Sequence, residues 1–262
     1  MSWQIVKIIA IISMTLDHAA STFITQPFLI ERLGMSLTVS SYTLRVMHSL
    51  GRIAFPLYSF GIAQGCTYTK NRGKFLLRLL VFAILAEAPF QLALGGLGMV
   101  RLRLWPLPMS NVLFTLLLGA VCCFIWDFFS KKKVAWVAVF PIIALVLLAE
   151  RHHTDYGGLG VLFVLLPYLF QQKKWKLTAL SGMVLVLYLA SPLIMRYTLH
   201  WSYLFCALGA VGILALYNGQ KGRQNKFSQY FFYAYYPLHL LLFYVINQWI
   251  GPIDIDWDRV LP

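Results

Sequence analysis

The chain has 262 residues, of which 60% are hydrophobic and only 12% are charged, and its mean hydropathy is +0.71. A soluble domain carries about 25% charged residues, so this composition predicts a polytopic membrane protein and excludes a soluble one. The net charge of +13 does not indicate a nucleic-acid partner, because the basic excess of a membrane protein usually lies in its cytoplasmic loops.

Nine apolar segments follow one another along the chain, separated by short basic breaks. A helix that spans a bilayer needs about 20 mostly apolar residues. The candidate spans are 3–24, 42–69, 74–94, 111–129, 134–149, 157–170, 177–194, 197–217 and 230–250. We therefore predict an all-α, polytopic integral membrane protein with about nine transmembrane helices, in which residues 1–262 form a single transmembrane helical domain.

The distribution of lysine and arginine predicts the orientation of these helices. Fourteen of the 22 basic residues fall at one set of breaks, seven fall at the alternate breaks, and Arg52 lies within the second predicted helix. Because cytoplasmic loops carry the larger share, the N-terminus is predicted to be cytoplasmic. Nine spans then place the C-terminus, with its acidic residues Asp254, Asp256 and Asp258, on the extracytoplasmic side.

Polar side chains interrupt the apolar helices at one depth. A charged residue near the bilayer centre costs roughly 2.5–3.5 kcal/mol on insertion scales, so each must pair, line a wet cavity or take up a proton. At about 1.5 Å per residue, the outer half of the predicted bundle contains Asp17, His18, Arg45, His48, Arg52, Glu87, Gln91, Asn111, Asp155 and Tyr156, and Tyr235, Tyr236 and His239 lie near the middle of the last helix.

The side chains of two adjacent residues, Asp17 and His18, are expected to point in different directions. Consecutive residues lie about 100° apart around a helix, so Asp17 should contact another helix, with Arg52 as its expected partner. His18 is the first candidate for a general base because histidine titrates near neutral pH, and His48 is a rival. The structural alternative is that Asp17–Arg52 and Glu87–Arg45 are ion pairs that merely hold the bundle together.

A basic cluster lies at the predicted cytoplasmic end of the third segment and contains Lys70, Arg72, Lys74 and Arg78. These cations could hold phosphate groups, or they could only anchor the chain to anionic lipid. No phosphate-loop motif accompanies them, so ATP hydrolysis is not indicated. The four cysteines show no metal-ligand spacing, and no metal is predicted.

Six short motifs occur in a fixed order along the chain. They are Leu16-Asp17-His18, Gly51-Arg52-Ile53-Ala54-Phe55-Pro56, Arg78 with Glu87-Ala88-Pro89-Phe90, Asn111-Val112-Leu113-Phe114-Thr115-Leu116, Asp155-Tyr156-Gly157 and Tyr236-Pro237-Leu238-His239. Together they resemble the TraX family of bacterial membrane proteins, and the likeness covers Leu16 to about Ile246. One departure is Leu16, where the family pattern has Phe.

The resemblance implies a multi-pass protein of the bacterial cytoplasmic (inner) membrane that is related to multi-helix membrane acyltransferases. The family's named member is associated with N-terminal acetylation of conjugative pilin. The implied reaction moves an acetyl group from cytoplasmic acetyl-CoA to an extracytoplasmic acceptor, which is a peptide N-terminal amine such as that of pilin, or a sugar or polymer group. The expected partners are therefore membrane lipids, acetyl-CoA and a pilin-like peptide or cell-envelope glycan, without nucleic acid.

Each polar residue receives an expected role in this chemistry. The expected catalytic residues are His18, Asp17, Arg52 and His48. The cations expected to hold the CoA phosphates are Lys70, Arg72, Lys74 and Arg78. The residues expected to bind the acceptor are Arg45, Glu87, Asn111, Asp155, Tyr156, Tyr236 and His239. Arg52 or Asn111 would face the developing oxyanion. Glu87 would bind an acceptor ammonium or position Arg45.

Two other classes of function stay open. In a proton-coupled transporter, Asp17, Glu87 and His239 would relay protons, although the chain shows no repeated halves of the kind that many transporters have. In a non-catalytic pilus or envelope assembly factor, the intramembrane charges would be structural.

Overall fold

The computed structural model describes residues 1–95, 109–194, 200–220, 222 and 226–253, and only the backbone at 190–194 and 226–229. All regular secondary structure in the described part of the chain is helical, and that part has no strand. The predicted all-α class is therefore confirmed for the described residues. Its α-helices are α1 (Trp3–Thr22), α2 (Leu37–Gly51), α3 (Ala54–Tyr68), α4 (Arg72–Leu94), α5 (Val112–Lys131), α6 (Val139–Arg151), α7 (Gly157–Leu169), α8 (Lys173–Ile194), α9 (Trp201–Ala215) and α10 (Lys226–Ile250). A π-helical turn at Phe28–Arg32 precedes α2, and a 3₁₀ turn at Ala135–Ala138 leads into α6.

Three of these helices, α1, α4 and α5, are long and apolar enough to cross a membrane. The apolar helices α7 and α9 are shorter. The count of nine spans and the orientation stay predictions, and the acidic residues Asp254, Asp256 and Asp258 lie outside the described residues.

The second predicted helix, 42–69, is wrong as a single element because it divides into α2 and α3. Proline at position 56 has no N–H, and its ring clashes with the carbonyl group four residues earlier, which is that of Arg52. Around this point the helix tightens, since the N–H of Arg52 donates to the Ser49 carbonyl at 3.1 Å and that of Ile53 to the Leu50 carbonyl at 3.2 Å. The break therefore falls at Arg52, which thereby becomes the last-turn residue of α2 and not a mid-helix charge.

Polar caps explain several helix starts. The Ser36 hydroxyl accepts the Val39 N–H at 3.4 Å, so α2 begins earlier than the apolar count predicts. The side chains of Asn71 and Asn111 accept backbone N–H groups at the first turns of α4 and α5. Such caps satisfy N–H groups that the first helical turn leaves without carbonyl partners.

Helix α7 occupies the centre of the bundle, where it packs against α3, α5, α6 and α8. Two glycines let it approach its neighbours. A Cβ atom at Gly160 would lie 2.4 Å from the Thr115 methyl group on α5, and one at Gly119 would lie 2.6 Å from Cβ of Val164 on α7. Small residues of this kind allow close helix contact in membrane proteins.

We expect Gly119→Ala and Gly182→Ala to change stability in opposite directions. Alanine in a helix interior is favoured over glycine by about 0.5–1 kcal/mol, and nothing lies within 4 Å of a Cβ atom at Gly182. At Gly119 the added methyl group must displace α7, and overpacking of this kind costs roughly 1–3 kcal/mol. Thermal unfolding of both variants in detergent measures the difference, and a melting temperature for Gly119→Ala at or above wild type would contradict the packing.

Candidate active site

The carboxylate of Asp17 joins α1 to the point where α2 ends. One guanidinium nitrogen of Arg52 donates to Oδ1 at 2.7 Å and to Oδ2 at 2.8 Å, and Nδ1 of His48 lies 2.8 Å from Oδ1. The Nε–H of Arg52 donates to the His48 carbonyl at 3.1 Å. The expected Asp17–Arg52 pair is therefore present, and His48 is a third member of the same group.

Close backbone contact brings Asp17 to these donors. A Cβ atom at Gly51 would lie 2.4 Å from Cβ of Asp17, so only glycine leaves room for the carboxylate at this crossing. One turn earlier on α1, the buried Ser13 hydroxyl donates to the carbonyl oxygens of Leu50 and Gly51. The end of α2 is thus tied to α1 at two successive turns.

His18 faces away from Asp17 and contacts α10. Its Nδ1 lies 2.7 Å from Nε2 of His239, the two rings are parallel, and Nδ1 of His239 lies 2.8 Å from the Tyr235 carbonyl oxygen. A carbonyl only accepts, so Nδ1 of His239 carries a proton and, in the neutral ring, Nε2 accepts. His18 then donates from Nδ1, and its own Nε2 keeps an unprotonated lone pair.

The loop before α7 closes the site over Arg52. Tyr156 has a left-handed backbone (φ 66°) and stacks on Phe55 at 3.6 Å between ring centroids. The side chains of Tyr156, Asp155 and Tyr188 all lie near the Arg52 guanidinium. Burial of the loop raises the pKa of Asp155 to about 6, while the Arg52 charge acts in the opposite direction. Non-glycine residues with positive φ are uncommon and concentrate at functional sites.

The expected role of Glu87 needs correction. Its side chain is 1% exposed, and its two oxygens accept from the Gln91 amide, from the Ser110 N–H and hydroxyl, and from the Asn111 N–H and amide. Five donors saturate a carboxylate, so Glu87 neither pairs with Arg45 nor offers a free oxygen to an acceptor ammonium. It anchors the start of α5 to α4, where a negative charge also complements the helix dipole.

The same contacts correct the role of Asn111. This side chain is fully buried; its amide nitrogen donates to the Ala83 carbonyl at 2.9 Å and to Glu87 at 2.6 Å, and its oxygen caps α5. No donor is left to face an oxyanion. Arg45 lies exposed on α2, and its predicted contact with an acceptor stays a prediction.

A cavity of about 340 Å³ lies beside His18, enclosed by α1, α3, α4, α5 and α10. We call it the central cavity; its lining includes Lys7, Met14, Tyr58, Gly61, Tyr233 and Tyr236. Met14 precedes His18 by one helical turn, and the ring of Tyr236 meets the His18 ring edge-on at 6.0 Å. The cavity therefore runs from Lys7, near the start of α1, to Met14 and Tyr236, and Tyr236 contacts His18.

The basic cluster at the start of α4 is only partly free. The Arg72 guanidinium pairs with the carboxylate of Asp127 on α5 and lies over the Phe124 ring. Its charge is thus already compensated, and its contact with a phosphate group stays a prediction. Lys70 and Lys74 are exposed, and their role stays a prediction. Arg78 is half-buried beside Tyr233 on the wall of the central cavity.

Comparison with known proteins gives the family. The family model described as TraX protein matches residues 2–247. The chain belongs to the TraX family. It is also 29% identical over 248 residues to the probable fimbrial assembly protein FimC, serogroup H1, of Dichelobacter nodosus, a match that covers 90% of this chain and 91% of that protein. No solved structure matches the chain.

Sequence reasoning missed several residues that the fold brings to the site. Ser110 contacts the buried charge of Glu87 and Asp127 contacts the partly exposed charge of Arg72, yet neither belongs to a recognised motif. Asp127 is the lone acidic residue of an apolar helix, and that signal could have identified it as the partner of a cation. Tyr58 and Tyr188 carried no such signal, because aromatic residues are common throughout the chain.

Replacement of Asp17 by alanine, which removes the side-chain oxygens, should destabilise the protein more than replacement by asparagine, which only removes the charge. Asp17→Ala leaves Arg52 without a counter-ion in a mostly buried position, which costs about 3 kcal/mol or more. Asp17→Asn retains one acceptor oxygen for Arg52 and should lose less. Chemical or thermal unfolding of the purified variants measures both effects, with the exposed substitution Lys70→Gln as the control. An Asp17→Ala variant as stable as wild type would contradict the structural role of this pair.

Proposed function

We propose that this TraX-family protein is a membrane acetyltransferase that moves an acetyl group from acetyl-CoA to an extracytoplasmic amine or hydroxyl. The observation that carries the proposal is the His18 imidazole, whose Nδ1 lies 2.7 Å from Nε2 of His239 and whose ring contacts Tyr236 on the wall of the central cavity. In the neutral ring, this hydrogen-bond order leaves Nε2 of His18 with an unprotonated lone pair. A general base needs such a lone pair within reach of the acceptor.

The central cavity has the properties expected for the acyl-pantetheine arm of the donor. Its volume of about 340 Å³ lies in the range of small-molecule sites, which are mostly apolar with a few polar groups. Lys7 and Arg78 lie at or beside its wall and would attract the donor's phosphates. The contact between His18 and Tyr236, which lines this cavity, favours His18 over His48, because His48 lies on the Asp17 side of α1.

The proposed step is direct transfer. The acceptor nitrogen or oxygen attacks the thioester carbonyl carbon while its proton passes to Nε2 of His18. The tetrahedral intermediate then collapses, the carbon–sulfur bond breaks, and the proton moves from His18 to the leaving CoA sulfur. His239 acts as a positioning residue, since it fixes the tautomer of His18.

The oxyanion donor in this proposal is Tyr236. Its side chain is 5% exposed, and it lines the central cavity next to His18. Its oxygen lies near the Val112 backbone, and its hydroxyl proton has no acceptor among the described residues. Arg52 is less suited to this role than expected, because its guanidinium is bonded to Asp17 and to the His48 carbonyl. Arg52 would act through Asp17 by fixing the position of α1.

We expect purified wild-type protein to transfer label from radiolabelled acetyl-CoA to cell-envelope extract, and three substitutions to separate the roles. His18→Ala should lower kcat by about 10²–10⁴-fold, as for loss of a general base. Tyr236→Phe should lower kcat by about 10²-fold with a smaller change in KM, as for loss of one oxyanion donor. His48→Gln should retain most of the activity of the protein that remains folded.

Lys132→Gln, which changes an exposed residue at the end of α5, is the matched control and should behave as wild type. Acetyl transfer by His18→Ala at the wild-type rate would contradict the assignment of His18 as the general base. Loss of transfer in His48→Gln alone would assign the base to His48, whose Nδ1 contacts Asp17. The absence of any CoA-dependent label in wild type would reject the acyltransferase proposal.

A second candidate function is that of a non-catalytic assembly factor. The observation that favours it is the similarity to the Dichelobacter nodosus relative, which is named as a probable fimbrial assembly protein. The two candidate functions differ in whether they require His18. An acetyltransferase needs the His18 imidazole as its base, whereas a non-catalytic assembly factor needs only the folded protein. Restoration of pilus assembly by His18→Ala in cells that lack this protein would favour the assembly factor, and failure by a folded His18→Ala protein would favour the enzyme.

A further inference from the structure

A second polar cavity lies at the end of the bundle that is predicted to face the cytoplasm. It has a volume of about 420 Å³ and lies between the last turns of α3, the start of α8 and the segment that follows α9. We call it the lysine cavity; its lining includes Gln64, Tyr68, Gln171, Lys173, Lys176 and Asn218. None of its described lining residues is acidic.

Lys176 distinguishes this cavity from a simple anchoring surface. Its side chain is only 7% exposed, whereas Lys131, Lys132, Lys133 and Lys174 are exposed, as expected for contacts with anionic lipid. A buried ammonium is normally paired, yet Lys176 has no carboxylate partner in the described part of the chain. Its charge therefore lies at a cavity wall without a counter-ion.

The neighbouring groups add fixed polarity. The ammonium of Lys173 donates to the Ala215 and Tyr217 carbonyl oxygens, where it complements the C-terminal end of α9. The Gln64 side-chain oxygen is fully buried and has no hydrogen-bond partner among the described residues. Gln64 thus lies on the wall with an unsatisfied side-chain oxygen, and rotation of the amide by about 180° would place its N–H donors there instead.

We propose that the lysine cavity is a binding site for a phosphate-bearing ligand, either a nucleotide or a phospholipid headgroup. Lys176 supplies the charge that pairs with the phosphate, Lys173 adds a second positive charge at the rim, and the Gln64 and Asn218 amides donate hydrogen bonds. Charge-assisted contacts between ammonium and phosphate are among the stronger hydrogen bonds in proteins. The site is distinct from the basic cluster around Arg72 and does not depend on acetyl transfer.

Binding to the purified full-length protein in uncharged detergent at low salt tests the proposal. The two probes are ADP, for the nucleotide source, and dihexanoyl phosphatidic acid, for the lipid source; ADP lacks the pantetheine arm that the central cavity is proposed to bind. We expect wild type to bind at least one of them and Lys176→Gln to bind it about tenfold more weakly, as for loss of one charged hydrogen bond. Lys174→Gln, a neighbouring exposed lysine on the same helix, is the matched control and should bind as wild type does.

The probe that shows this difference identifies the source of the phosphate. Failure of wild type to bind either probe, or equal binding by wild type and Lys176→Gln, would overturn the proposal. If Lys176→Gln does not fold, Gln64→Glu provides the same test, because it keeps both lysines and places a carboxylate on the wall. Unchanged binding by Gln64→Glu would then overturn the proposal. These results are separate from any failure of acetyl transfer, since no turnover is measured.

Discussion

A carboxylate inside an apolar helix bundle requires donors, and Asp17 obtains them at the point where Pro56 breaks the following helix. The break makes Arg52 the end of α2, and Gly51 lets the backbone approach the carboxylate closely enough for both Arg52 and His48 to reach it. A buried ion pair is weak evidence for stability, because desolvation of the two charges offsets much of their attraction. In this protein, the pair fixes α1 against α2 and so determines which way the next residue of α1 points.

His18 is the residue whose position depends on this arrangement. Asp17 is hydrogen-bonded to His48 and Arg52 at the end of α2. Because consecutive residues of a helix differ in direction by about 100°, the His18 side chain points to α10. There the hydrogen bonds to His239 and to the Tyr235 carbonyl set the tautomer of His18. Tyr236, which lines the central cavity, contacts His18 there. The proposed chemistry thus arises from two neighbouring residues with separate tasks, one that holds the helices and one that faces a ligand.

Some of this arrangement follows from the sequence, because a charged side chain inside the membrane costs free energy unless another residue pairs with it. That cost predicts the Asp17–Arg52 pair and the meeting of several helices at one depth. It does not reveal which charges serve only the fold: Glu87 has the same sequence signal as Asp17 but is saturated by backbone and side-chain donors around Ser110. Apolarity also could not place the break at Pro56, since the hydrophobic pattern continues across it. Function is least accessible, because cavities form from residues far apart in the chain.

The most direct measurement is the protonation state of the His18 ring, determined by ¹⁵N NMR on histidine-labelled protein in detergent, with the signal assigned by its loss in His18→Gln. The arrangement predicts a proton on Nδ1 and an unprotonated Nε2, which is the nitrogen that would accept the acceptor's proton. His239→Ala should abolish this preference. A proton on Nε2 in the wild-type protein would contradict the proposed base and the hydrogen-bond order between α1 and α10.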